Sequence, residues 1–79
     1  MKTTAQRIGS NVRAEMARAG VTQVQLAGLI GMSQSMLSAR LAGKTAFDVD
    51  ELARAAGVLG IDAATLMTDP SATSAQVAS

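Results

Sequence analysis

Residues 22–44 read TQVQLAGLIGMSQSMLSARLAGK, and the arrangement of small and apolar residues in this stretch decides the fold. Gly31, Met32 and Ser33 separate two runs that favour helix, and so short a break leaves room only for a sharp crossing. The first helix then needs a small side chain facing the second, and Ala27 supplies it four residues before the glycine. The larger apolar side chains of the seam are Leu26, Ile30, Leu37 and Leu41. The stretch therefore predicts two short helices that cross closely.

Capping residues mark where the helices begin. At four places an apolar residue precedes a Thr, Ser or Asp, and another apolar residue follows five positions after the first. This is the pattern of a hydrophobic staple around an N-cap. The four caps are Thr22, Ser33, Asp48 and Asp62. Gln25 and Glu51 stand three residues after their caps and complete capping boxes, and Thr3 with Gln6 offers another box.

Glycines mark the ends of the helices, because glycine adopts the left-handed conformation of a C′ residue without steric cost. The candidates are Gly20, Gly31, Gly43 and Gly60. Together these start and stop signals predict five helices. Their expected bounds are 4–19, 23–30, 34–42, 49–59 and 63–67. No stretch alternates with period two over a useful length, so the predicted fold class is all-α.

The composition fits one small helical domain. Of the 79 residues, 48% are apolar, but sixteen of these are alanines, so the core must consist of many small contacts. We expect residues 1–68 to form this domain. After Asp69-Pro70, Val77 is the one larger apolar residue. We therefore expect residues 69–79 to be a disordered tail or the start of a linker.

The residue types that are missing exclude several classes of function. The sequence contains no Cys, His, Trp or Tyr. This excludes disulfides, zinc fingers, thiol nucleophiles and histidine bases, and it argues against a base-stacking platform. We expect no enzyme activity, no metal and no small-molecule cofactor. Because the apolar stretches are too short to span a bilayer and the N-terminus lacks the apolar core of a signal peptide, we expect a cytoplasmic protein without a membrane partner.

The net charge of +1 conceals an asymmetry along the chain. Residues 1–47 carry six basic side chains and one acidic side chain, a balance of +5, whereas residues 48–79 carry one basic and five acidic side chains, a balance of −4. A basic front half suits a polyanionic partner. The alternative is that the uneven distribution of charge has no functional meaning, because three of the five acidic residues stand where helices begin and serve there as helix caps.

The quoted stretch resembles the Cro and phage-repressor type of helix-turn-helix protein. The resemblance covers residues 8 to about 66, and its elements are Gln23, the Ala27/Gly31 pair, the Gly-Met-Ser-Gln-Ser turn and Gly43-Lys44. It implies a lambda-repressor-like domain in which the second and third helices form the motif and the third lies in the major groove of double-stranded DNA. The implied function is a sequence-specific transcriptional regulator of phage or bacterial origin, with repression the commoner role in the family.

The resemblance places the base-reading positions on the third helix, at Gln34, Ser35, Ser38 and Ala39. Their chemistry fits this role, because Gln pairs with an adenine edge, Ser bonds a base or a phosphate, and Ala contacts a thymine methyl group. If Leu37 and Leu41 are buried, helical geometry turns these positions outward. The alternative is a polar face that is merely solvated.

Phosphate contacts are expected from helix N-termini and from nearby donors. The expected residues are Gln23, Ser33, Lys44, Thr45 and Arg13, with Arg7 and Asn11 as weaker candidates. Arg13 is also open to a role as a plain surface charge. Two roles are open for Arg40, a phosphate contact or a structural ion pair with Asp48 or Glu51.

Two positions depart from the pattern of the resembled family. Relatives often carry a partly buried Arg–Glu pair where this chain has Met16 and Leu41, so we expect an apolar contact there instead. Relatives also often carry a phosphate-holding Asn where this chain has Ala42, which shifts the expected phosphate contact to Lys44.

A single small module buries only about 600–1,000 Å² on DNA, so we expect a homodimer on a roughly palindromic operator. The expected dimer interface is the fifth helix, with Ile61, Leu66 and Met67; the alternative is that these residues close the core. A competing function is a protein-interaction module such as an antitoxin or anti-repressor, with exposed Met36 and Leu29 as its anchors.

Overall fold

The computed structural model describes residues 2–68, and this part of the chain folds into five α-helices without a strand. The helices are α1 (Thr4–Ala19), α2 (Gln23–Ile30), α3 (Gln34–Ala42), α4 (Val49–Leu59) and α5 (Ala63–Met67). The all-α prediction and all five predicted pairs of bounds are confirmed. The predicted tail at residues 69–79 lies outside the described residues.

The helices begin where the capping pattern predicts. Reciprocal capping boxes form at Thr3, Thr22 and Asp48, and the Ser33 hydroxyl accepts a hydrogen bond from the Met36 amide at 3.1 Å. Asp62 is the exception, because it occupies the N-cap position but its side chain caps nothing. The physical reason is that the Thr65 amide, the donor a capping side chain would accept from, donates instead to the Asp62 carbonyl at 3.0 Å.

Four glycines end the first four helices in the left-handed conformation, with φ between 70° and 76°. They are Gly20, Gly31, Gly43 and Gly60, as predicted. Between Gly31 and the Ser33 cap only Met32 intervenes, so α2 and α3 must cross sharply. Ala27 is buried at this crossing, as the sequence requires.

One apolar core joins all five helices. Its members are Val12, Met16, Leu26, Ala27, Ile30, Leu37, Leu41, Phe47, Leu52, Ala55, Ala56 and Leu66. Met16 and Leu41 both belong to it, in agreement with the apolar substitution expected at the place of an ion pair. Leu66 is completely buried and is the residue through which the short α5 is anchored.

Contact between the backbones of α1 and α3 is a feature that sequence reasoning missed. A side-chain carbon added at Gly9 would lie 2.9 Å from the Arg40 carbonyl oxygen and closer still to that of Leu41. A carbon added at Gly43 would meet the backbone of Gln6. Two glycines on opposite sides of the contact therefore allow α1 to rest directly on the C-terminal end of α3.

Two polar side chains tie helix ends to neighbouring helices. The Asn11 amide nitrogen on α1 donates to the carbonyl oxygens of Leu66 and Thr68, at 2.8 and 2.9 Å, and so holds the end of α5. Arg54 on α4 donates to the Ile30 carbonyl at 3.2 Å and satisfies the end of α2. Carbonyls at helix C-termini otherwise lack intrahelical donors.

Replacing Gly9 with alanine tests the backbone contact. We expect Gly9→Ala to lower the free energy of unfolding by about 1–3 kcal/mol, because the new methyl group meets carbonyl oxygens that cannot turn aside. The matched control is Gly57→Ala in α4, where the added carbon meets no atom within 4 Å. Alanine is the better helix former, so the control should gain up to about 1 kcal/mol. Urea unfolding followed by circular dichroism measures both, and a gain in both variants would contradict the contact.

Candidate nucleic-acid interface

The exposed side of α3 forms a shallow concavity of about 550 Å³ together with the start of α2. We call it the α3 concavity; its lining residues are Gln23, Gln34, Ser35, Ser38, Ala39, Ala42 and Lys44. Its position follows from the packing of the helix. Leu37 and Leu41 are buried, so the side chains on the opposite side of α3 face outward.

All four residues predicted to read bases line this concavity. Gln34, Ser35 and Ser38 are exposed, and Ala39 is half-buried. Ala42, which stands where relatives often carry a phosphate-holding Asn, is exposed and also lines the concavity. The structure therefore brings two hydroxyls, an amide and two methyl groups together on one outward face of α3.

Helix N-termini provide hydrogen-bond donors at the same place. The first amides of a helix have no intrahelical acceptor. At α3 the Met36 amide is capped by Ser33, which leaves the amides of Gln34 and Ser35 directed outward at the positive end of the helix dipole. At α2, Gln25 is held in its capping box, whereas the Gln23 side chain lies on the concavity.

The predicted phosphate contacts divide into two groups. Gln23 and Lys44 line the α3 concavity, and Lys44 follows Gly43 immediately beyond the C-terminal end of α3. Ser33, Thr45 and Arg13 are exposed but do not line it. Ser33 and Thr45 adjoin the lining residues along the chain, whereas Arg13 belongs to α1.

The weaker candidate Asn11 is corrected by the structure. Its amide nitrogen is occupied by the two carbonyl oxygens at the end of α5, so it serves the fold and is not available to a phosphate. The other weaker candidate, Arg7, is half-buried on α1.

Arg40 forms an ion pair with Glu51, which resolves the two roles left open for it. Its Nε lies 3.1 Å from Oε1 and its Nη2 lies 3.2 Å from Oε2, a two-pronged contact between α3 and α4. The side chains are only 16% and 10% exposed. Glu51 also accepts the Asp48 amide at 3.0 Å, so one carboxylate caps α4 and fixes Arg40. The hydrogen bond from Arg40 is the largest cause of the lowered pKa of Glu51, and the same bond raises the pKa of Arg40.

The residues predicted to form a dimer interface do not share one environment. Leu66 is completely buried within the chain, so it closes the core and cannot contact a second copy. Ile61 is half-buried against the core, and Met67 is 52% exposed. Of the three predicted residues, only Ile61 and Met67 offer surface to a partner.

A second, apolar concavity lies on the outer face of α2. This α2 groove has a volume of about 530 Å³ and is lined by Gly20, Val21, Val24, Gln25, Gly28 and Leu29. Val24 and Leu29 are 63% and 65% exposed. Leu29 was expected to be exposed, and Val24 is an addition from the structure. Met36, the other expected anchor, is 45% exposed but belongs to α3 and does not line the groove.

Among residues 2–68, no helix is long and apolar enough to cross a bilayer, and no group of acidic side chains is arranged to hold a metal ion.

The Arg40–Glu51 pair predicts a specific dependence of stability on pH. Because the pKa of Glu51 is lowered in the folded chain, its contribution to stability is present above its ordinary pKa and is lost as the pH falls through its folded pKa. We expect the free energy of unfolding to fall as the pH drops below the ordinary pKa of a glutamate, and Glu51→Gln to be less stable at pH 7 but less sensitive to acid.

Chemical unfolding at pH 7, 5, 4 and 3 measures this difference. Asp50→Asn is the matched control, because Asp50 is an exposed acid on the same turn of α4 that is not paired with Arg40. An acid response of Glu51→Gln as steep as that of the unaltered chain would contradict the role given to the ion pair.

The chain is similar to a known protein family and to a solved structure. Residues 12–66 match the family model described as helix-turn-helix. A solved structure, the clp gene regulator ClgR from Corynebacterium glutamicum, is similar with a TM-score of 0.83 and 25% sequence identity, over 98% of this chain and 82% of that one. No curated protein sequence matches the chain.

Proposed function

Because this chain belongs to the Cro and C1-type helix-turn-helix family of DNA-binding regulators, we propose that it represses transcription by placing α3 in the major groove of an operator. The observation that carries the proposal is the α3 concavity, which gathers the four candidate base-reading side chains on one outward face. The similarity to a gene regulator supports the same role.

In this proposal the outward side of α3 reads the bases. Gln34 donates to adenine N7 through its amide nitrogen and accepts from adenine N6 through its amide oxygen, a two-bond contact worth about 1–3 kcal/mol of discrimination. Ser35 and Ser38 bond base edges or phosphates. Ala39, which lines the concavity, contacts a thymine methyl group.

Phosphate contacts fix the position of the domain on the duplex without reading its sequence. We assign them to Gln23 at the start of α2 and Lys44 beyond the end of α3, which lie at the same concavity. Ser33 and Thr45 extend the contacts to the neighbouring backbone, and Arg13 adds a more distant one. The outward amides of α3 contribute through the helix dipole.

We further propose that the chain acts as a homodimer on a palindromic operator in the cytoplasm of a bacterial cell, whether its gene belongs to the bacterium or to a phage. Two modules on half-sites about 34 Å apart overcome the small contact area of one module. The exposed Met67 and the half-buried Ile61 are the candidate contacts between the copies. The proposal requires no cofactor and no catalytic group.

A protein-interaction module, of the antitoxin or anti-repressor kind, is the second candidate function, and the α2 groove is the observation that favours it. Val24 and Leu29 present apolar surface in a helix that carries no charged residue. A partner held there is bound through apolar burial, so its affinity should change little with salt. For DNA binding, by contrast, the logarithm of the association constant falls linearly with the logarithm of the salt concentration, with a slope of about −0.9 per phosphate contact. We call this slope the salt slope.

Two substitutions in the α3 concavity separate base reading from phosphate binding. Gln34→Ala should relax base preference at one position of each half-site and leave nonspecific binding nearly unchanged. Lys44→Ala should weaken binding to all sequences alike and reduce the salt slope by about one. Selection from a random duplex library and fluorescence anisotropy at several salt concentrations measure these effects.

The matched control is Lys2→Ala, because Lys2 is an exposed lysine whose Nζ donates to the Ser10 hydroxyl and which does not line the concavity. Its salt slope should be that of the unaltered chain. An unchanged base preference in Gln34→Ala would remove Gln34 from the reading face, and salt-independent binding would favour the second candidate function.

A further inference from the structure

The side chains of the α3 concavity point to one class of operator. Resting on the proposed function, we infer that the bases beneath α3 are predominantly A·T pairs, recognised through adenine edges and thymine methyl groups, and that guanine is not read there. Two features support this inference: the fixed position of Arg40 and the chemistry of the side chains that remain on the outward side of α3.

Arginine and lysine are the commonest readers of guanine, because their charged nitrogens bond guanine O6 and N7 together. Arg40 is the single charged residue among the nine of α3. Both prongs of its guanidinium contact Glu51, and neither side chain is more than 16% exposed. Turning Arg40 toward DNA would leave the Glu51 carboxylate unpaired in a largely buried place, which is costly. The ion pair therefore withdraws the only cation of α3 from the reading face.

The remaining groups of the concavity match A·T pairs. Gln34 carries an amide, which pairs with adenine, and Ala39 and Ala42 carry methyl groups, which pack against the C5-methyl of thymine. Within the part of the chain that the structure describes, no Asp or Glu lines the concavity to accept from cytosine N4. Ser35 and Ser38 are compatible with any base.

Lys44 is the one cation that lines the concavity, and its position assigns it to the backbone of the duplex. It follows Gly43, beyond the last turn of α3, and its amide bonds the Ala39 carbonyl at 3.0 Å. An ammonium group on a flexible stem acts on phosphate as a point charge and lacks the fixed two-pronged geometry of a guanidinium.

The order of side chains along α3 also predicts the order of the bases beneath the helix. Gln34 opens the helix, and Ala39 and Ala42 lie toward its end, three residues apart and therefore on one side. The Cα atoms of residues 34 and 42 are about 12 Å apart at 1.5 Å per residue, which corresponds to about three or four base pairs. We expect adenine at the N-terminal end of this segment and thymines at its C-terminal end.

The test uses the full chain and begins with selection from a random duplex library at low salt. The selected half-site should contain A·T pairs at most positions beneath α3. In the selected site, each thymidine is then replaced by deoxyuridine, which removes only the methyl groups. We expect a loss of affinity of about fivefold or more. Ala42→Ser should reduce this loss, whereas Ala53→Ser, an exposed control position on α4, should not.

A second arm distinguishes reading in the major groove from a preference for flexible DNA. Inosine·cytosine pairs resemble G·C in the major groove and A·T in the minor groove, because they lack the guanine N2 amino group. A·T duplexes should bind at least tenfold more tightly than both inosine·cytosine and G·C duplexes. Equal binding of A·T and inosine·cytosine duplexes would overturn the inference. An affinity that is unchanged after thymidine is replaced by deoxyuridine would also overturn it.

The outcomes also separate this inference from the proposed function. Salt-dependent binding to all three duplexes with equal affinity, or a selected half-site rich in guanine, would overturn the inference and leave DNA binding in place. Failure of every duplex, including the random library, to bind at low salt would overturn the proposed function itself.

Discussion

The structure depends on how one side of α3 is fixed to the rest of the chain. Leu37 and Leu41 enter the common core, and the bare backbone of α1 at Gly9 lies against the carbonyl oxygens at the end of α3. Because the interior is closely packed, the helix has little freedom to rotate or slide. Its opposite side must then face outward, and this side carries the residues of the α3 concavity.

The Arg40–Glu51 pair adds a second constraint, this time between α3 and α4. A partly buried ion pair is weak ground for an argument about stability, because desolvation offsets much of the Coulomb attraction. Its geometry is more informative than its energy. The carboxylate that caps α4 also holds the guanidinium of α3, so a residue that looks suited to DNA is committed to the fold. Stability and recognition are therefore linked through one side chain.

The five helices were predictable because their limits are set by local chemistry. Thr22 with Gln25, or Gly31 in the left-handed conformation, acts within a few residues of the chain. The exposure of Gln34 and Ser38 was also predictable, since it follows from the helical period once Leu37 is buried. By contrast, the contact of Gly9 and the partners of Asn11 depend on residues from 31 to 57 positions away, and the burial of Leu66 depends on how the other helices pack around it. No local pattern encodes such distances, so the dimer prediction included a core residue and the tight packing of α1 was missed.

Amide chemical shifts measured during a titration with a selected duplex test most directly whether the outward side of α3 meets the DNA. If it does, the largest changes occur at Gln23, Gln34, Ser35, Ser38 and Lys44, with small changes along the outer face of α2. Large changes confined to Val24, Gly28 and Leu29, with α3 unaffected, would contradict it.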